Sequence, residues 1–125
     1  MTDIVVFDDS RTVRMFVEMS LGQLGYQVEA FAELGEFQPS DDDAPQLVLL
    51  DVHMDEFLGT DLLAHIRQNW PDGTLIYLYS DVAEDQLRDT MHSVGADGYI
   101  AKSWGFEGLV KTVRNVIKPA GNEAR

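Results

Sequence analysis

Short apolar runs and longer stretches with helical spacing alternate along this chain. Residues 47–50 are four consecutive aliphatic residues, a pattern typical of a strand that is buried on both faces of a parallel sheet. Residues 27–31 alternate and predict a shorter strand at the edge of the sheet. Together with the remaining runs, the pattern predicts strands at residues 4–8, 27–31, 47–51, 75–80 and 98–102.

Between the strands, apolar residues recur every three or four positions, which indicates helices with one buried face. The first predicted helix begins near Arg11, after the capping residue Ser10, and ends at Gly25. A second, weaker helix is predicted at 32–38. The spacing of Asp81 and Glu84 resembles a capping box before the fourth helix. The inward residues of the last three helices are Leu62, Leu63, Ile66 and Trp70; Leu87, Met91 and Val94; and Phe106, Leu109, Val110, Val113 and Ile117.

Five strand–helix repeats predict the α/β class, with a parallel sheet, right-handed crossovers and helices on both faces. The length of 125 residues fits one domain. We assign residues 1–120 to this single doubly wound (βα)5 domain and 121–125 to a C-terminal tail.

Composition and charge narrow the functional classes. The sequence has no cysteine, which excludes disulfides, a thiol nucleophile and cysteine-based metal sites. Its net charge of -13 argues against direct contact with nucleic acid or an anionic membrane, and favours a cation or a partner with a basic face. No apolar run approaches the roughly 20 residues of a membrane helix, and the N-terminus lacks the basic region of a signal peptide. We therefore expect a cytoplasmic protein.

Polar side chains follow four of the predicted strands. The first ends in Asp8 and Asp9, the third in Asp51, the fourth in Ser80 and the fifth in Lys102. Since the carboxyl ends of parallel strands share one edge of the sheet, these groups are expected to converge on one crevice. Taken singly, the acid pair could merely begin a helix, Ser80 could be a cap and Lys102 a solvated surface residue.

This ordered set resembles the receiver domain of two-component response regulators, over essentially the whole chain. The resemblance implies a flavodoxin-like fold with strand order 2-1-3-4-5, which places Asp8 and Asp9 beside Asp51. The matching segments are Val5-Val6-Phe7-Asp8-Asp9-Ser10 with Arg14, Leu49-Leu50-Asp51-Val52-His53-Met54 with Gly59, Ser80, and Gly95-Ala96-Asp97-Gly98-Tyr99-Ile100-Ala101-Lys102.

The same resemblance implies that Asp51 is the phosphoacceptor. A histidine kinase or phosphotransfer protein would supply the phosphoryl group from a phosphohistidine. Mg²⁺, with Mn²⁺ as the alternative, would be held by Asp9, Asp51 and the backbone carbonyl of His53, while Asp8 would act partly through water. The domain would be a switch that phosphorylates and dephosphorylates itself, not an enzyme that turns over an external substrate.

The implied switch involves three further side chains. Lys102 would pair with Asp51 and then with a phosphoryl oxygen, Ser80 would donate a hydrogen bond to another oxygen, and Tyr99 would change rotamer. Read alone, Tyr99 is equally a core residue. The change would alter the face made by the fourth helix, the fifth strand and the fifth helix. A homodimer through that face is left open. The output would be a downstream protein or an output domain outside this sequence.

Three residues depart from the usual family pattern around this site. Asp55 and Ser103 stand where the family usually has proline, and Asp81 stands where it usually has a small residue. The family's Lys-Pro bond is typically cis, whereas a non-proline cis bond costs about 2.5–4 kcal/mol. We therefore expect the Lys102–Ser103 bond to be either trans, with a shifted lysine, or cis with strain. Near the phosphoryl position, Asp81 would repel the incoming anion, attract a second cation or steer a water for hydrolysis. The alternative is that it caps a helix with Glu84.

Asp81 and Ser103 keep a second hypothesis open, a pseudo-receiver that binds partners without being phosphorylated. An aspartate-nucleophile phosphohydrolase is disfavoured, because that class has a second aspartate two residues after the nucleophile, where this chain has His53. His53 either hydrogen-bonds a phosphoryl oxygen or contributes only its carbonyl group.

Overall fold

The structure is a computed structural model that describes residues 2–33, 44–52, 60–69 and 73–119. In this part of the chain, a helix follows each strand as the sequence predicts, except between β2 and β3, where residues 34–43 lie outside the described ranges. In chain order they are β1 (Ile4–Phe7), α1 (Arg11–Gly22), β2 (Val28–Phe31), β3 (Leu47–Leu50), α2 (Thr60–Asn69), β4 (Leu75–Ser80), α3 (Glu84–Val94), β5 (Gly98–Ala101), a 3₁₀ turn (Lys102–Trp104) and α4 (Gly105–Val116).

The five strands form one parallel sheet in the order β2-β1-β3-β4-β5. The predicted fold class and strand order are confirmed. β1 and β3 are buried along their whole length, as their unbroken apolar runs predict. β2 is partly exposed, which fits its predicted place at the edge of the sheet.

Side chains that alternate along the strands build a hydrophobic cluster on each face of the sheet. On one face, the strands pack against α1 and α4; on the other, they pack against α2 and α3. We call these the α1/α4 cluster and the α2/α3 cluster. The first includes Ile4, Val6, Val17, Leu21, Leu47, Leu49, Ile100, Leu109 and Val113, and the second includes Val5, Phe7, Val48, Leu50, Leu63, Ile66, Ile76, Leu78 and Leu87.

Several predicted boundaries need correction. The first, third and fifth strands each end one residue earlier than predicted, so Asp8 and Asp51 lie just beyond the sheet and Lys102 begins the 3₁₀ turn. β2 begins at residue 28 rather than 27. Helix α1 ends at residue 22, because tight turns with bonds from Leu24 N to Leu21 O and from Gly25 N to Gly22 O already replace the helical pattern.

Two predicted helix ends are confirmed, and a further one is wrong. Ser10 caps α1, since its side chain accepts a hydrogen bond from Val13 N at 3.3 Å. Gly95 ends α3 in the left-handed region, with φ at 79°, as predicted. The predicted capping box is wrong: α3 begins at Glu84 after Ala83, whose side chain makes no cap bond, and Asp81 lies two residues before that cap.

Some predictions fall on residues outside the described ranges. They are most of the weak helix at 32–38, the loop with His53, Asp55 and Gly59, the side chains of Leu62 and Trp70, and the tail at 121–125.

Among the described helices, none has the length and apolar character needed to cross a membrane.

Candidate functional site

Three carboxylates meet at the carboxyl ends of β1 and β3. Asp8, Asp9 and Asp51 each offer an oxygen, and these oxygens lie within 4.8 Å of one another. The register explains this: Phe7 pairs with Leu50, so the residues that follow both strands leave the sheet side by side. Asp8 and Asp51 are buried, with 0% and 3% exposure, whereas Asp9 is exposed.

The loop between β1 and α1 holds Asp8 firmly. Its Oδ1 accepts a hydrogen bond from Ser10 N at 2.9 Å, and its backbone carbonyl accepts one from Arg14 Nη1 at 2.9 Å. Its own backbone N–H donates to Phe31 O at 3.1 Å. Arg14 is part of the matching motif, but its contact with the loop was not predicted.

Lys102 places a positively charged side chain beside these acids. Its Nζ lies 2.7 Å from Asp8 Oδ2 and 3.8 Å from Asp51 Oδ2. No peptide bond between described residues is cis, so the Lys102–Ser103 bond is trans. Of the two predicted alternatives, the structure has the trans bond, with the ammonium group nearer to Asp8 than to Asp51.

Tyr79, a residue that the sequence did not single out, lies beside this ammonium group. The Lys102 Nζ is 5.5 Å from the centre of the Tyr79 ring, within the range of a cation–π contact. Burial, together with the negative charge of Asp8, raises the pKa of the Tyr79 hydroxyl to about 12. The residue therefore stays neutral at physiological pH.

The acids fit a hard divalent cation. Three carboxylates face one ammonium group, which leaves negative charge in excess, and oxygen ligands are those that Mg²⁺ prefers. Asp8 Oδ2 is buried and accepts no hydrogen bond from the described residues; its close neighbour is the ammonium group of Lys102, in an ion pair. Such a buried oxygen is suited to a metal ion.

Ser80 ends β4, next to the fifth strand. It is fully buried, pairs in register with Ala101, and accepts a hydrogen bond from Val82 N at 3.3 Å through its Oγ. Ser80 thus stabilises the turn after β4 and is not the N-cap of α3, which begins at Glu84.

The Tyr99 ring lies on the face of the sheet that α3 covers. Its half-buried ring packs with the α2/α3 cluster, and its centre lies 5.7 Å from that of the Trp104 ring. A hydrogen bond with Tyr99 raises the pKa of the exposed Arg88 above its ordinary value. The structure therefore brings Asp8, Asp9, Asp51 and Lys102 together, with Ser80 on the neighbouring strand end and Tyr99 on the α3 side.

Sequence reasoning also missed Trp104. Its indole Nε1 donates a hydrogen bond to Glu84 Oε1 at 2.6 Å, which joins the 3₁₀ turn to the first turn of α3. A large aromatic residue two positions after Lys102, with Gly108 one helical turn later, was the available signal.

Comparison with known proteins gives relatives at modest identity. The chain is 26% identical over 130 aligned residues to the transcriptional regulatory protein PcoR of Escherichia coli, covering 99% of this chain and 55% of that protein. The chain spans about half the length of the curated relatives it matches.

Solved structures agree with the fold. The BeF3-activated receiver domain of DrrB has a TM-score of 0.76 and 28% identity, covering 93% of this chain and 97% of that one. The Thermotoga maritima response regulator TrrA, in complex with Mg(2+)-BeF, has a TM-score of 0.72 and 25% identity, covering 94% and 100%.

One protein-family model spans nearly all of the chain. The family is described as the response regulator receiver domain, and its model matches residues 4–114. The match includes each strand of the sheet and the four residues that meet at its edge. The chain belongs to the response regulator receiver domain family.

Proposed function

We propose that this domain is a phosphorylation-dependent switch with Asp51 as its phosphoacceptor. Receiver domains take a phosphoryl group from histidine kinases and regulate output domains. The observation that carries the proposal for this chain is the meeting of two buried carboxylates, Asp8 and Asp51, with the ammonium group of Lys102 at 2.7 Å and 3.8 Å.

Asp51 suits the role of nucleophile better than its two neighbours. Asp8 Oδ1 is held by Ser10 N and Oδ2 by the lysine, and Asp9 is exposed. Asp51 follows the central strand β3, is 3% exposed, and lies 3.8 Å from Lys102 Nζ through its Oδ2. In the proposed step, a carboxylate oxygen of Asp51 attacks phosphorus, the bond from phosphorus to the donor's imidazole nitrogen breaks, and its electron pair stays on the imidazole.

A divalent cation would offset the repulsion between the phosphoryl group and the three acids. Asp8, Asp9 and Asp51 would hold Mg²⁺, and the resemblance adds the backbone carbonyl of His53, which lies outside the described residues. Mn²⁺ is the expected substitute, since it also binds oxygen ligands. Buried Asp8 is already oriented for this role by its backbone contacts.

Lys102 and Ser80 would stabilise the phosphorylated state. The lysine needs only a side-chain rotation to move its ammonium group from Asp8 toward a phosphoryl oxygen. The Ser80 oxygen accepts from Val82 N, so its hydroxyl hydrogen is available for a second phosphoryl oxygen. A rotamer change of Tyr99 would break its ring contact with Trp104. It would thereby alter the surface of α3, β5 and α4, which correspond to the fourth helix, fifth strand and fifth helix of the predicted switch.

The proposed partners are proteins. A histidine kinase or a phosphotransfer protein would be the donor, and a downstream protein or an output domain of a longer protein would receive the signal. The net charge of -13 favours a basic protein surface and disfavours direct nucleic-acid contact by this domain. A homodimer through the surface of α3, β5 and α4 stays an open alternative, and the proposed compartment is the cytoplasm.

The test is phosphorylation by acetyl phosphate, read by intact mass with and without Mg²⁺. The wild type and the control Asp89→Asn, an exposed acid on α3, should gain one phosphate-sized mass when Mg²⁺ is present. Asp51→Asn should gain none. If the wild type gains no mass at any Mg²⁺ or Mn²⁺ concentration, the phosphoacceptor proposal fails and the pseudo-receiver reading replaces it.

A further inference from the structure

Trp104 closes the 3₁₀ turn that begins at Lys102, and it is fixed on several sides. Its indole N–H donates to Glu84 Oε1 at 2.6 Å, and its ring lies against that of Tyr99. The side chain also packs against both the α1/α4 and the α2/α3 clusters, so it spans the end of the sheet at β5. Few rotamers satisfy all these contacts at once.

A glycine on α4 makes room for the stem of Trp104. A Cβ added to Gly108 would lie 2.2 Å from Trp104 Cβ and 3.2 Å from its Cγ. Contacts this short are incompatible with real atoms, so any side chain at position 108 would push the tryptophan and the turn away from α4. The glycine is therefore part of the same arrangement.

The turn itself offers little rigidity. Ser103 is exposed and, unlike proline, leaves φ free, so the serine does not restrict the turn to one conformation. Lys102 has a long side chain that many rotamers can satisfy, and its ammonium group must nevertheless face Asp8 and Asp51. Something other than the residue after the lysine has to set the direction of that side chain.

We propose that Trp104 is a positioning residue for Lys102. Packed over Gly108 and hydrogen-bonded to Glu84, it fixes the trans turn that aims the ammonium group at the acid cluster, and it ties that turn to the start of α3. That Trp104 affects phosphorylation rests on the proposed function. That Trp104 positions the ammonium group of Lys102 does not depend on the proposed function.

The placement of that charge can be measured through Mg²⁺ affinity, by calorimetry, without any phosphorylation. An ammonium group beside the acids opposes a second cation, so Lys102→Ala should raise Mg²⁺ affinity about tenfold. Gly108→Ala, which moves Trp104 and so turns the lysine away, should also raise the affinity. The matched control is Gly22→Ala in α1, where an added Cβ meets nothing within 4 Å and affinity should stay at the wild-type value.

Three further variants test the indole hydrogen bond. Glu84 is exposed, so substitution there leaves both hydrophobic clusters intact. Glu84→Ala removes the acceptor and should raise Mg²⁺ affinity, as should Trp104→Phe, which keeps an aromatic ring but loses the N–H. Glu84→Gln keeps an acceptor oxygen and should behave as the wild type. A merely structural role for Trp104 would leave Mg²⁺ affinity at the wild-type value in Glu84→Ala and Trp104→Phe as well.

Double variants that also carry Lys102→Ala test whether Trp104 acts through the lysine. If Trp104 acts through the lysine, Gly108→Ala and Trp104→Phe should change Mg²⁺ affinity no further once the ammonium group is gone. Undiminished effects in that background, unchanged affinity in all the single variants at Gly108, Trp104 and Glu84, or unchanged affinity in Lys102→Ala itself would each overturn it.

The same variants separate this proposal from the proposed function. With acetyl phosphate as donor, misplacement of Lys102 should lower the phosphorylation rate constant of Gly108→Ala about tenfold or more relative to Gly22→Ala. A wild type that binds Mg²⁺ but is never phosphorylated would defeat the phosphoacceptor proposal, while the pattern of Mg²⁺ affinities would still confirm or overturn the role of Trp104.

Discussion

Asp8 and Asp9 are neighbours in sequence, but their carboxylates differ in burial and in how firmly they are oriented for a metal ion. Asp8 is fully buried and oriented by a backbone N–H and by Lys102, whereas Asp9 is exposed. Ordering Asp9 around a metal ion therefore costs side-chain entropy that Asp8 has already lost on folding. A cation would gain its rigid ligands from Asp8 and Asp51, and its adaptable one from Asp9.

Asp81 should shorten the lifetime of the phosphorylated domain. It is exposed and directly follows Ser80, so its carboxylate would repel a phosphoryl group on Asp51. At about 4 Å in water such a repulsion is worth about 1 kcal/mol, or a factor of about 5. We expect Asp81→Ala to raise the yield or lifetime of the phosphorylated state by a factor of about 2–5, measured by intact mass over time.

The control for that variant is Asp85→Ala, which removes another exposed acid from the first turn of α3. High salt should reduce the difference between Asp81→Ala and the wild type, because screening weakens repulsion between exposed charges. Phosphorylation and dephosphorylation rates that are the same in both proteins would show that Asp81 has no such effect.

Tyr79 gives the domain a pH-dependent contribution to stability. In the unfolded chain its phenol has the ordinary pKa of about 10, whereas in the folded state burial and then Asp8 raise the pKa to about 12. Between these values the unfolded state releases the proton first, so this contribution is complete below pH 10 and is lost as pH rises to 12. Urea unfolding should show a steeper loss of stability over this window for the wild type than for Tyr79→Phe; equal slopes would contradict the assignment.

The acids and the lysine of the site could be predicted because each follows a strand, and parallel strands end at one edge of the sheet. The cap assigned to Asp81 was wrong because the spacing of Asp81 and Glu84 does not show at which residue the helix begins after a turn. Trp104 and Tyr79 were missed for another reason. Trp104 donates a hydrogen bond to Glu84 of α3, and the Tyr79 ring on β4 lies beside Lys102 of the 3₁₀ turn, so both contacts depend on packing between elements that are not adjacent in sequence.

At the scale of elements, the pairing of β4 with β5 depends on one glycine. Tyr77 is paired with Gly98, and an added Cβ at Gly98 would lie 2.6 Å from the Tyr77 ring, so the ring covers the glycine. Gly98→Ala should lower the free energy of unfolding by about 1–3 kcal/mol through overpacking. Chemical denaturation measures this loss.

A background that removes the ring tests the cause of that loss. In Tyr77→Leu, which lacks the ring atoms that meet the new methyl group, Gly98→Ala should cost less than it does in the wild type. Gly22→Ala again serves as the control, with open space around the added methyl group and a stability within about 1 kcal/mol of the wild type. The same cost in both backgrounds would show that the ring is not responsible.

An element can be predicted from the sequence where its surroundings allow only one pattern of residues. β1 and β3 were predicted because strands buried on both faces must be continuously apolar. The end of α1 was misplaced by three residues, since Gly22 and Gly25 both suit a helix end and the choice between them is made by turn hydrogen bonds at Leu24 and Gly25. Helix ends of this kind depend on hydrogen bonds that residue spacing does not encode.

At the scale of the whole molecule, an excess of 13 negative charges surrounds a site that already concentrates three acids. Repulsion among these charges opposes the folded state, and any salt relieves part of it by screening. A cation bound at the acid cluster acts differently, because it stabilises the folded state in proportion to occupancy of one site. The two effects can be separated by comparing ions at equal ionic strength.

We therefore expect Mg²⁺ to stabilise the domain well beyond NaCl at matched ionic strength. At a free concentration of 100 times the Kd, binding at one site adds about 2.7 kcal/mol to the free energy of unfolding, which is measured by urea unfolding. Asp9→Asn should lose most of this excess while keeping the response to NaCl, because Asp9 is exposed and its change leaves the buried pair Asp8 and Asp51 in place. Asp89→Asn removes the same formal charge from α3 and should retain the excess. If NaCl matched Mg²⁺ in the wild type, or if both variants responded alike, the stabilisation would come from screening of the whole surface and not from a metal site at the end of β1 and β3.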